Sequence, residues 1–297
     1  MSKIFDCFMY CNEDLLLNFR LNCLEKYVDK FIIVESGFYH NGKKKKFNFN
    51  LKKFKKFRKK IIYLKIKNKP KNLNKIFQSD TDVNKEKKHI LNGYIWDNFQ
   101  RNKIADGLKY ANDDDFIIIS DIDEIPNLEK VNLINIKKKL IFFKQSIFFY
   151  KFNLVYKNMI WWGSKACKKK NLLSPQWLRN LKYKKYPLWR VDIFFSKIKY
   201  HDIHYVENGG WHFTNLKSPI ELYNKLINYA HYFEFLQSGI SIQGIKKMIK
   251  NKIAIYNHSL DQRKNKFDGK IKLHKYNIRL LPTHLKKNLK KYKKWID

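Results

Sequence analysis

Phe-Ile-Ile-Ile-Ser-Asp-Ile-Asp-Glu-Ile-Pro, residues 116–126, is the stretch of the chain that decides its fold. Its apolar first half predicts a strand buried on both faces of a parallel sheet. Pro126 lacks an N–H group for the ladder, so the strand should end near Asp123 or Glu124. Ligands of open α/β sheets bind at the carboxyl ends of strands, and residues two apart share one strand face. Asp121 and Asp123 therefore predict a divalent-cation site with oxygen ligands, the alternative being a solvated acidic turn without metal.

The N-terminal segment predicts a sheet around that strand. A strand at 3–10, a helix at 15–27 and a strand at 31–36 form a β-α-β pattern, which implies a right-handed parallel crossover. Glu35 then lies at the same sheet edge as Asp121. Its carboxylate is suited either to a ribose or base N–H of a nucleotide or to an ion pair with a nearby Lys or Arg.

The remaining patterns extend this α/β arrangement. A helix at 93–110 leads into the central strand and carries Arg101, which could reach a diphosphate or be an ordinary surface residue. The other predicted elements are a strand at 61–66, a long loop at 70–89, a helix at 130–140, one or two strands at 141–157, a helix at 219–236 that carries Lys225, and a mostly helical basic tail at 243–297.

The composition predicts a folded, strongly basic protein. The 297 residues are 44% hydrophobic and 16% aromatic, so a sizeable core is available. The formal net charge is +37, from 63 basic and 26 acidic residues, which favours anionic partners. Only seven of the basic residues are Arg. Because Arg dominates bidentate contacts with bases and phosphates, this scarcity argues against specific nucleic-acid recognition.

The sequence also bears on cellular location. Its four cysteines form no C-x-x-C pair, so buried reduced thiols are expected rather than disulfides or a zinc site. No apolar run is long enough to span a membrane, and the N-terminus lacks the pattern of a signal peptide. We therefore expect a cytoplasmic protein, with peripheral contact to an anionic membrane through its Lys-rich surface as a further expectation.

A second informative stretch is Tyr-Val-Glu-Asn-Gly-Gly-Trp-His-Phe, residues 205–213. Its two glycines permit a positive φ or a close approach of two backbones. A rigidly held His212 opposite the Asp-x-Asp pair could complete a metal site, because imidazole is a ligand of transition metals such as manganese. The alternative is a hydrogen-bonded core histidine.

In combination, these motifs resemble glycosyltransferase family 17, the family of the bisecting β-1,4-N-acetylglucosaminyltransferases. The matching stretches are Asn12-Glu13 with Leu16-Leu17 and Arg20, Val28-Asp29 through Val34-Glu35-Ser36 and Gly42, residues 114–118 through 121–126, Trp162-Gly163-Ser164 and Gly210-Trp211-His212. The resemblance runs over roughly residues 3 to 235. The Asp-Glu-Ile-Pro and Gly-Trp-His elements, in that order, are its most specific parts.

The resemblance implies a GT-A type, Rossmann-like fold: a mixed, mainly parallel sheet flanked by helices. It divides the chain into a catalytic domain at 1–240, with a nucleotide-sugar half at 1–126 and an acceptor half at 127–240, and a basic helical extension at 241–297 on the same domain. It also implies inverting transfer of a sugar from a UDP-sugar, expected to be UDP-N-acetylglucosamine, to a sugar hydroxyl of a glycan. The chain departs from the animal enzymes in its Lys-rich loops and in lacking their N-terminal membrane anchor, so a lipid-linked glycan is a further expected acceptor.

By the same resemblance, Asp121 and Asp123 would carry Mn²⁺, or Mg²⁺, together with ribose contacts, and His212 would be a further ligand to the metal or diphosphate. The expected donor-binding residues are Glu13, Glu35, Arg101, Asp121 and Lys225. The expected catalytic residues are Asp123, Glu124 and Glu207.

Inverting transfer needs a base that takes the acceptor proton, usually a carboxylate. The candidates are Glu124, Asp192, Asp202, Glu207 and Glu234. Glu207 is preferred among them because it shares a predicted loop with His212. Two other classes of function stay open on sequence alone: a basic nucleic-acid-associated protein, which would explain the charge but not the acidic motif, and a metal-dependent hydrolase.

Overall fold

The computed structural model describes residues 2–187, 189–229, 232–258, 266–267 and 269–297. Within them the chain builds one ten-stranded mixed sheet with helices on both faces, which confirms the predicted α/β class. Along the main path the strands lie in the order β10 (His274–Lys275), β7 (Leu154–Trp161), β6 (Leu140–Phe149), β8 (Lys165–Lys168), β4 (Phe116–Asp121), β1 (Ile4–Tyr10), β2 (Lys30–Ser36) and β3 (Ile61–Ile66). Strand β9 (Ile203–Thr214) joins β6 to β5 (Glu124–Pro126).

The N-terminal part of the sheet is parallel. Its strands are β1 (Ile4–Tyr10), β2 (Lys30–Ser36), β3 (Ile61–Ile66) and β4 (Phe116–Asp121). The predicted order of strand, helix and strand is confirmed here. The apolar residues 116–119 are at most 1% exposed, so β4 is buried on both faces as its composition predicts. Each such side chain removed from water stabilises the fold by about 2 kcal/mol.

Helices cover the two faces of this parallel part. The helices are α1 (Asp14–Leu24), α2 (Asp82–Asn102), α3 (Ile104–Gly107) and α4 (Pro175–Asn180). On one face Phe19 and Leu17 of α1 share a core with Ile118. On the other face Ile104 of α3 and Leu178 of α4 share a core with residues of β4. These helices bring Arg101 and Arg179 to the end of β4.

The C-terminal part of the sheet is mixed. Its strands are β5 (Glu124–Pro126), β6 (Leu140–Phe149), β7 (Leu154–Trp161), β8 (Lys165–Lys168), β9 (Ile203–Thr214) and β10 (His274–Lys275). Pairing here is antiparallel except between β6 and β9, which run parallel. A third apolar cluster packs this part against α5 (Pro219–Leu226), α6 (Tyr232–Gln237) and α7 (Ile242–Lys250). The last helix, α8 (Thr283–Lys287), packs near α1.

Several predicted elements are wrong or misplaced. Residues 130–140 hold a single 3-10 turn, Leu133–Asn135, because the Asn132 side chain accepts a hydrogen bond from the Ile134 N–H and forms a local turn. The predicted loop at 70–89 contains the start of α2, which Thr81 caps. The predicted helix at 219–236 is divided into α5 and α6, and the described part of the tail is less helical than expected.

The prediction for residues 205–213 also needs correction. They belong to β9 and not to a loop, with a register shift where β9 passes Phe143 and Gln145 of β6. The four cysteines are free thiols; Cys7, Cys23 and Cys167 are buried as the sequence predicts, whereas Cys11 is only partly buried. Among the described residues, none of the helices combines the length and the apolar content that a membrane crossing needs.

Candidate active site

The carboxyl edge of the parallel strands gathers the acidic residues. β4 ends at Asp121, which is in register with Met9 of β1, and Tyr10 of β1 is in register with Glu35 of β2. Asp121 and Glu35 are therefore two strand spacings apart, about 10 Å. The chain then turns at Ile122-Asp123 before β5 begins, so Asp123 projects from a turn rather than from the strand itself.

A buried arginine stabilises the backbone of this turn. Arg20 of α1 is fully buried and forms a bidentate ion pair with Asp6 of β1, with N–O distances of 2.7 and 2.5 Å. Its remaining Nη1 donates to the backbone carbonyls of Asp121 and Glu124, at 3.1 and 2.6 Å. The Asp-x-Asp-Glu backbone is thus fixed by a side chain that makes no contact with solvent.

Glu124 connects the parts of the site. It is fully buried, and its Oε2 accepts the N–H of Asp121 at 2.8 Å while its Oε1 accepts the indole N–H of Trp161 at 2.5 Å. Arg179 of α4 donates to both oxygens, at 2.8 and 2.7 Å. With every oxygen engaged by these donors, the geometry gives Glu124 an organising role, and its predicted catalytic role stays a prediction.

Two guanidinium groups enclose Asp121. Arg101 donates to its Oδ1 at 3.1 Å, and Arg179 donates to its Oδ2 at 2.7 Å. Burial acts to raise the pKa of Asp121, but Arg179 and Arg101 outweigh it and hold the pKa well below its ordinary value. Arg101 is only 3% exposed and also binds Asp97 and Gln176. It therefore orients Asp121 in this structure, and direct contact with a diphosphate stays a prediction.

Asp123 and His212 face each other from different elements. The antiparallel pairing of β5 with β9 places His212 opposite Glu124, and its Nε2 lies 3.5 Å from Oδ2 of Asp123. The imidazole stacks on Trp161 with ring centroids 4.9 Å apart. Its Nδ1 is buried and has no hydrogen-bond partner within the described part of the chain. The sequence-predicted opposition of His212 and Asp-x-Asp is therefore present.

The electrostatics of the pair favour opposite charges. Burial acts to lower the pKa of His212, but the carboxylates of Asp123 and Glu124 outweigh it and raise the pKa above its ordinary value. Burial acts to raise the pKa of Asp123, but His212 and Lys225 outweigh it and lower the pKa. Lys225, half-buried on α5, thus acts on Asp123 through its charge, and its Nζ donates to Asn215 Oδ1 at 3.3 Å.

Two glycine positions permit this close packing. Gly210 has φ +139°, and a Cβ there would lie 2.1 Å from the carbonyl oxygen of Ile125. A Cβ at Gly163 would lie 2.0 Å from Oε1 of Glu124. The expectation that the Gly-Gly pair allows a positive φ and a close backbone approach is confirmed. A side chain at Gly163 would displace Glu124 or Trp161, and one at Gly210 would force the backbone of β9 away from that of β5.

Two other predicted donor-binding residues, Glu35 and Glu13, lie at the same edge, but their carboxylates already accept hydrogen bonds from other groups of the protein. Both oxygens of Glu35 accept hydrogen bonds, from Lys45 Nζ at 2.7 Å, Tyr63 Oη at 2.7 Å and the backbone N–H groups of residues 48 and 49. This is the ion-pair alternative considered for Glu35. Glu13 accepts the N–H groups of residues 11 and 12, both at 3.0 Å. Nucleotide binding by either residue stays a prediction.

The structure does not bring Glu207 beside His212 on a loop. It lies on β9 with its side chain 66% exposed, and it pairs with Lys144 at 2.8 Å. The reason given for preferring it as the base is therefore wrong, although the role itself is untested. Two further candidates are also exposed and paired: Asp192 with Arg190, and Asp202 with Lys138. Glu234 lies on α6.

The donor chemistry is compatible with a divalent cation. Four carboxylates, from Asp97, Asp121, Asp123 and Glu124, face the two guanidiniums of Arg101 and Arg179, which leaves two negative charges before His212 takes a proton. Oxygen and imidazole ligands suit Mn²⁺ or Mg²⁺. The described residues contain no cluster of three His, Cys, Asp or Glu side chains arranged around one cation. Asp123 and His212 therefore fit as two ligands, and the others would come from substrate and water.

Sequence reasoning gave no role at the site to three residues: Arg179, Trp161 and Arg20, the last of which it named only as part of the family resemblance. Arg179 lies 58 positions from Asp121, and Trp161 lies 37 positions from Glu124. Nothing local in the sequence links such pairs. The available signal was the scarcity of Arg in a Lys-rich chain, since three of the seven Arg residues lie in this one site.

The parallel strands of this α/β sheet end on carboxylates, which lie beside guanidinium groups and a histidine. Enzymes with this class of fold and site bind charged ligands at the carboxyl edge of the strands. A sequence model of glycosyltransferase family 17 matches residues 1–172, more than half of the chain, and the protein belongs to this family. The match includes Asp121, Asp123 and Glu124. Arg179, His212 and Lys225 lie beyond it, so their assignment to the site rests on the geometry.

The other comparisons add no specific function. A search among curated proteins found no match. Among solved structures, the crystal structure of HddC from Yersinia pseudotuberculosis is similar with a TM-score of 0.32 and 11% identity, over 69% of this chain and 90% of that one. The same protein complexed with GMP-PN gives a TM-score of 0.30 and 10% identity, over 70% and 91% of the two chains. These TM-scores are too low to establish a shared fold.

Proposed function

We propose that this glycosyltransferase moves N-acetylglucosamine, with inversion, from UDP-N-acetylglucosamine to a hydroxyl of a glycan or lipid-linked glycan, with Mn²⁺ or Mg²⁺ bound at the end of β4. The observation that carries the proposal is the 3.5 Å approach of His212 Nε2 to Asp123 Oδ2, beside the carboxylate of Asp121. The choice of donor sugar follows the family resemblance.

In this proposal Asp123 and His212 hold the cation. When bound there, the cation neutralises charge on the departing diphosphate as a Lewis acid. Asp121, oriented by Arg101 and Arg179, supplies a second carboxylate toward the donor. Because Glu124 binds Arg179 and the Asp121 N–H, the whole arrangement is preorganised before substrate arrives.

Lys225 of α5 supplies further positive charge near Asp123. Its charge already lowers the pKa of Asp123, so it lies within electrostatic reach of a diphosphate bound at the cation. Arg101 and Arg179, in contrast, are taken up by carboxylates. We therefore assign the direct diphosphate contact to Lys225 and a positioning role to the two arginines.

A melting-temperature screen tests the proposal, because a ligand that binds only the folded state raises its stability. UDP, UDP-N-acetylglucosamine and GDP-mannose are compared with and without Mn²⁺. We expect UDP and UDP-N-acetylglucosamine to raise Tm only when Mn²⁺ is present, and GDP-mannose to have little effect.

The screen also separates the alternatives. Equal shifts with and without Mn²⁺ would contradict the metal site, and shifts with GDP-mannose alone would contradict the donor. Release of free sugar that no acceptor suppresses would indicate a hydrolase. The sugar-transfer assay itself uses a panel of glycan and lipid-linked acceptors and reports the linkage of the product.

A further inference from the structure

Apolar side chains project into solvent on the segment that follows α4. Trp189, Val191, Phe194 and Phe195 are 79%, 65%, 72% and 85% exposed, and we name these four residues the aromatic patch. Single exposed apolar residues are ordinary, but a cluster of large ones indicates an interaction surface. The patch makes no part of the site described above.

The described residues of this segment are held by hydrogen bonds and by one buried side chain. The 3-10 helix Val191–Ile193 lies within the segment, and Ile193 is buried below at 4% exposure. The segment is closed by hydrogen bonds from the Lys182 N–H to the Ile198 carbonyl at 2.9 Å and from the Trp177 indole to the Lys197 carbonyl at 2.7 Å. Since Trp177 belongs to α4, the patch is coupled directly to the helix that carries Arg179.

The surroundings of the patch are basic. The nearby cationic residues on the segment are Lys182, Lys184, Lys185, Arg190, Lys197 and Lys199. The nearby acid, Asp192, is already paired with Arg190 at 2.8 Å and Lys199 at 2.9 Å. An excess of positive charge around exposed apolar side chains complements an anionic, apolar partner and repels a second copy of the same surface.

The chemistry of the patch favours lipid over glycan. Sugar platforms combine a stacked ring with hydrogen-bonding side chains. Val191, Phe194 and Phe195 have no hydrogen-bonding group in their side chains, and Phe194 and Phe195 protrude more than two-thirds exposed instead of lining a groove. Aromatic side chains flanked by Lys and Arg are the composition of surfaces that lie in the interface of an anionic bilayer.

We propose that the aromatic patch is the surface by which this protein docks on an anionic lipid bilayer, with its apolar side chains in the headgroup region and the flanking lysines on the phosphates. Docking there brings α4 and the edge of β4 close to the membrane. The purpose of docking, access to a lipid-linked acceptor, rests on the proposed function, whereas the binding itself does not.

Vesicle co-sedimentation tests the proposal. The full chain is mixed with vesicles of phosphatidylcholine alone and with vesicles that also contain phosphatidylglycerol. We expect binding to the anionic vesicles, weakened roughly tenfold or more by combining Trp189→Ser, Phe194→Ser and Phe195→Ser, because the lost apolar contacts are part of interfacial binding. The matched control combines Val83→Ser, Tyr110→Ser and Ile134→Ser, which lie elsewhere and are 74%, 75% and 54% exposed. The control should bind as the wild type does.

Unchanged binding of the patch variant would overturn the proposal and leave a purely electrostatic attraction that any Lys-rich face provides. A loss in both variants, or a patch-dependent dimer with no vesicle binding, would overturn it as well. Unchanged Tm values confirm that the variants fold. The Mn²⁺-dependent Tm shift with UDP distinguishes the two proposals. The patch variant should still show this shift, because the patch is not part of the active site. Absence of the shift in the wild type would count against the transferase proposal alone.

Discussion

At the scale of single residues, the site depends on groups that face one another from separate elements. Asp123 lies on a turn and His212 on β9, and each shifts the pKa of the other toward the charged pair. The two residues belong to separate sequence motifs that are about 90 positions apart. Their distance is set by the register between β5 and β9.

The first prediction concerns Asp123→Asn. We expect it to lower the rate of sugar transfer by roughly 10²-fold or more, because a carboxylate ligand of the proposed cation is lost. Circular dichroism and Tm should show a folded protein. The matched control is Asp82→Asn, whose side chain is fully exposed on α2 and which should keep wild-type activity. Full activity of Asp123→Asn would remove the metal role of this residue.

The second prediction concerns Arg179→Lys, which keeps the charge but not the planar fork. Arg179 donates to Asp121 and to both oxygens of Glu124, and an ammonium cannot make these contacts at once. We expect an activity loss of roughly 10-fold to 10²-fold, because Asp121 is no longer oriented. Steady-state kinetics measure it. A variant with wild-type kcat and KM would show that the bidentate geometry is dispensable.

At the scale of elements, strands and helix ends pack so closely around the site that some positions have no room for a side chain. Gly163 precedes β8 at the point where Trp161 and Glu124 meet. Gly244 lies in α7, where a Cβ would have only ordinary contacts, the nearest at 3.4 Å. The two glycines are thus a matched pair with opposite expectations.

The third prediction compares Gly163→Ala with Gly244→Ala. The first places a Cβ 2.0 Å from Glu124 Oε1 and 2.3 Å from the Trp161 indole nitrogen, so we expect a loss of about 2–4 kcal/mol in the free energy of unfolding together with lost activity. The second should stabilise the fold by about 0.5–1 kcal/mol, because Ala is the better helix former. Urea unfolding measures both. Equal effects would contradict the assigned packing.

The fourth prediction concerns Lys165 of β8, which anchors the end of α4. Its Nζ donates to the carbonyls of Arg179 and Leu181 at 2.6 and 2.7 Å. Burial, and then the charge of Arg179, lowers the pKa of Lys165 from 10.5 to about 7. Between these two values the unfolded chain binds the proton and the folded chain does not, so this group makes the free energy of unfolding rise with pH.

We therefore expect Lys165→Met, which cannot titrate, to flatten that rise. Urea unfolding of both proteins from pH 7 to about pH 9 measures it, because the difference between the two curves isolates this one group from other titrating residues. Parallel curves for the wild type and the variant would show that the pKa of Lys165 is not lowered in the folded protein.

At the scale of the whole molecule, the charge of +37 is the dominant feature. The match to glycosyltransferase family 17 covers residues 1–172 and so includes the acidic motif, which a nucleic-acid-binding role leaves unexplained. The excess positive charges repel one another in the folded protein, and they attract the protein to anionic surfaces. The aromatic patch adds apolar contact to that attraction.

The fifth prediction follows from self-repulsion. Raising the ionic strength from about 10 mM to about 150 mM shortens the Debye length from about 30 Å to about 8 Å, so we expect Tm to rise by a few degrees in NaCl. Scanning fluorimetry measures it, with sucrose at equal osmolality as the uncharged control. A Tm that is unchanged or lower in NaCl would show that repulsion between surface charges does not limit stability.

The sequence was informative where a run of apolar residues or a pair of glycines decided the structure. An apolar run followed by carboxylates and a proline predicts a buried strand with an acidic end, and the pair Gly209-Gly210 predicts close backbone packing. The predicted helix at 130–140 and the predicted loop at 70–89 were wrong because the side chains of Asn132 and Thr81 form caps that decide the local structure. The preference for Glu207 failed because β9 continues through it.

By itself, then, the sequence determined the α/β class, the buried strand β4 and the position of Asp121 and Asp123 at its end, because hydrophobic period and backbone chemistry act over a few neighbouring residues. Only the tertiary structure decided which charges meet. Arg101, Arg179 and Trp161 reach Asp121 and Glu124 across 20, 58 and 37 positions. Such pairs form because a buried carboxylate must find donors in space, wherever along the chain they lie.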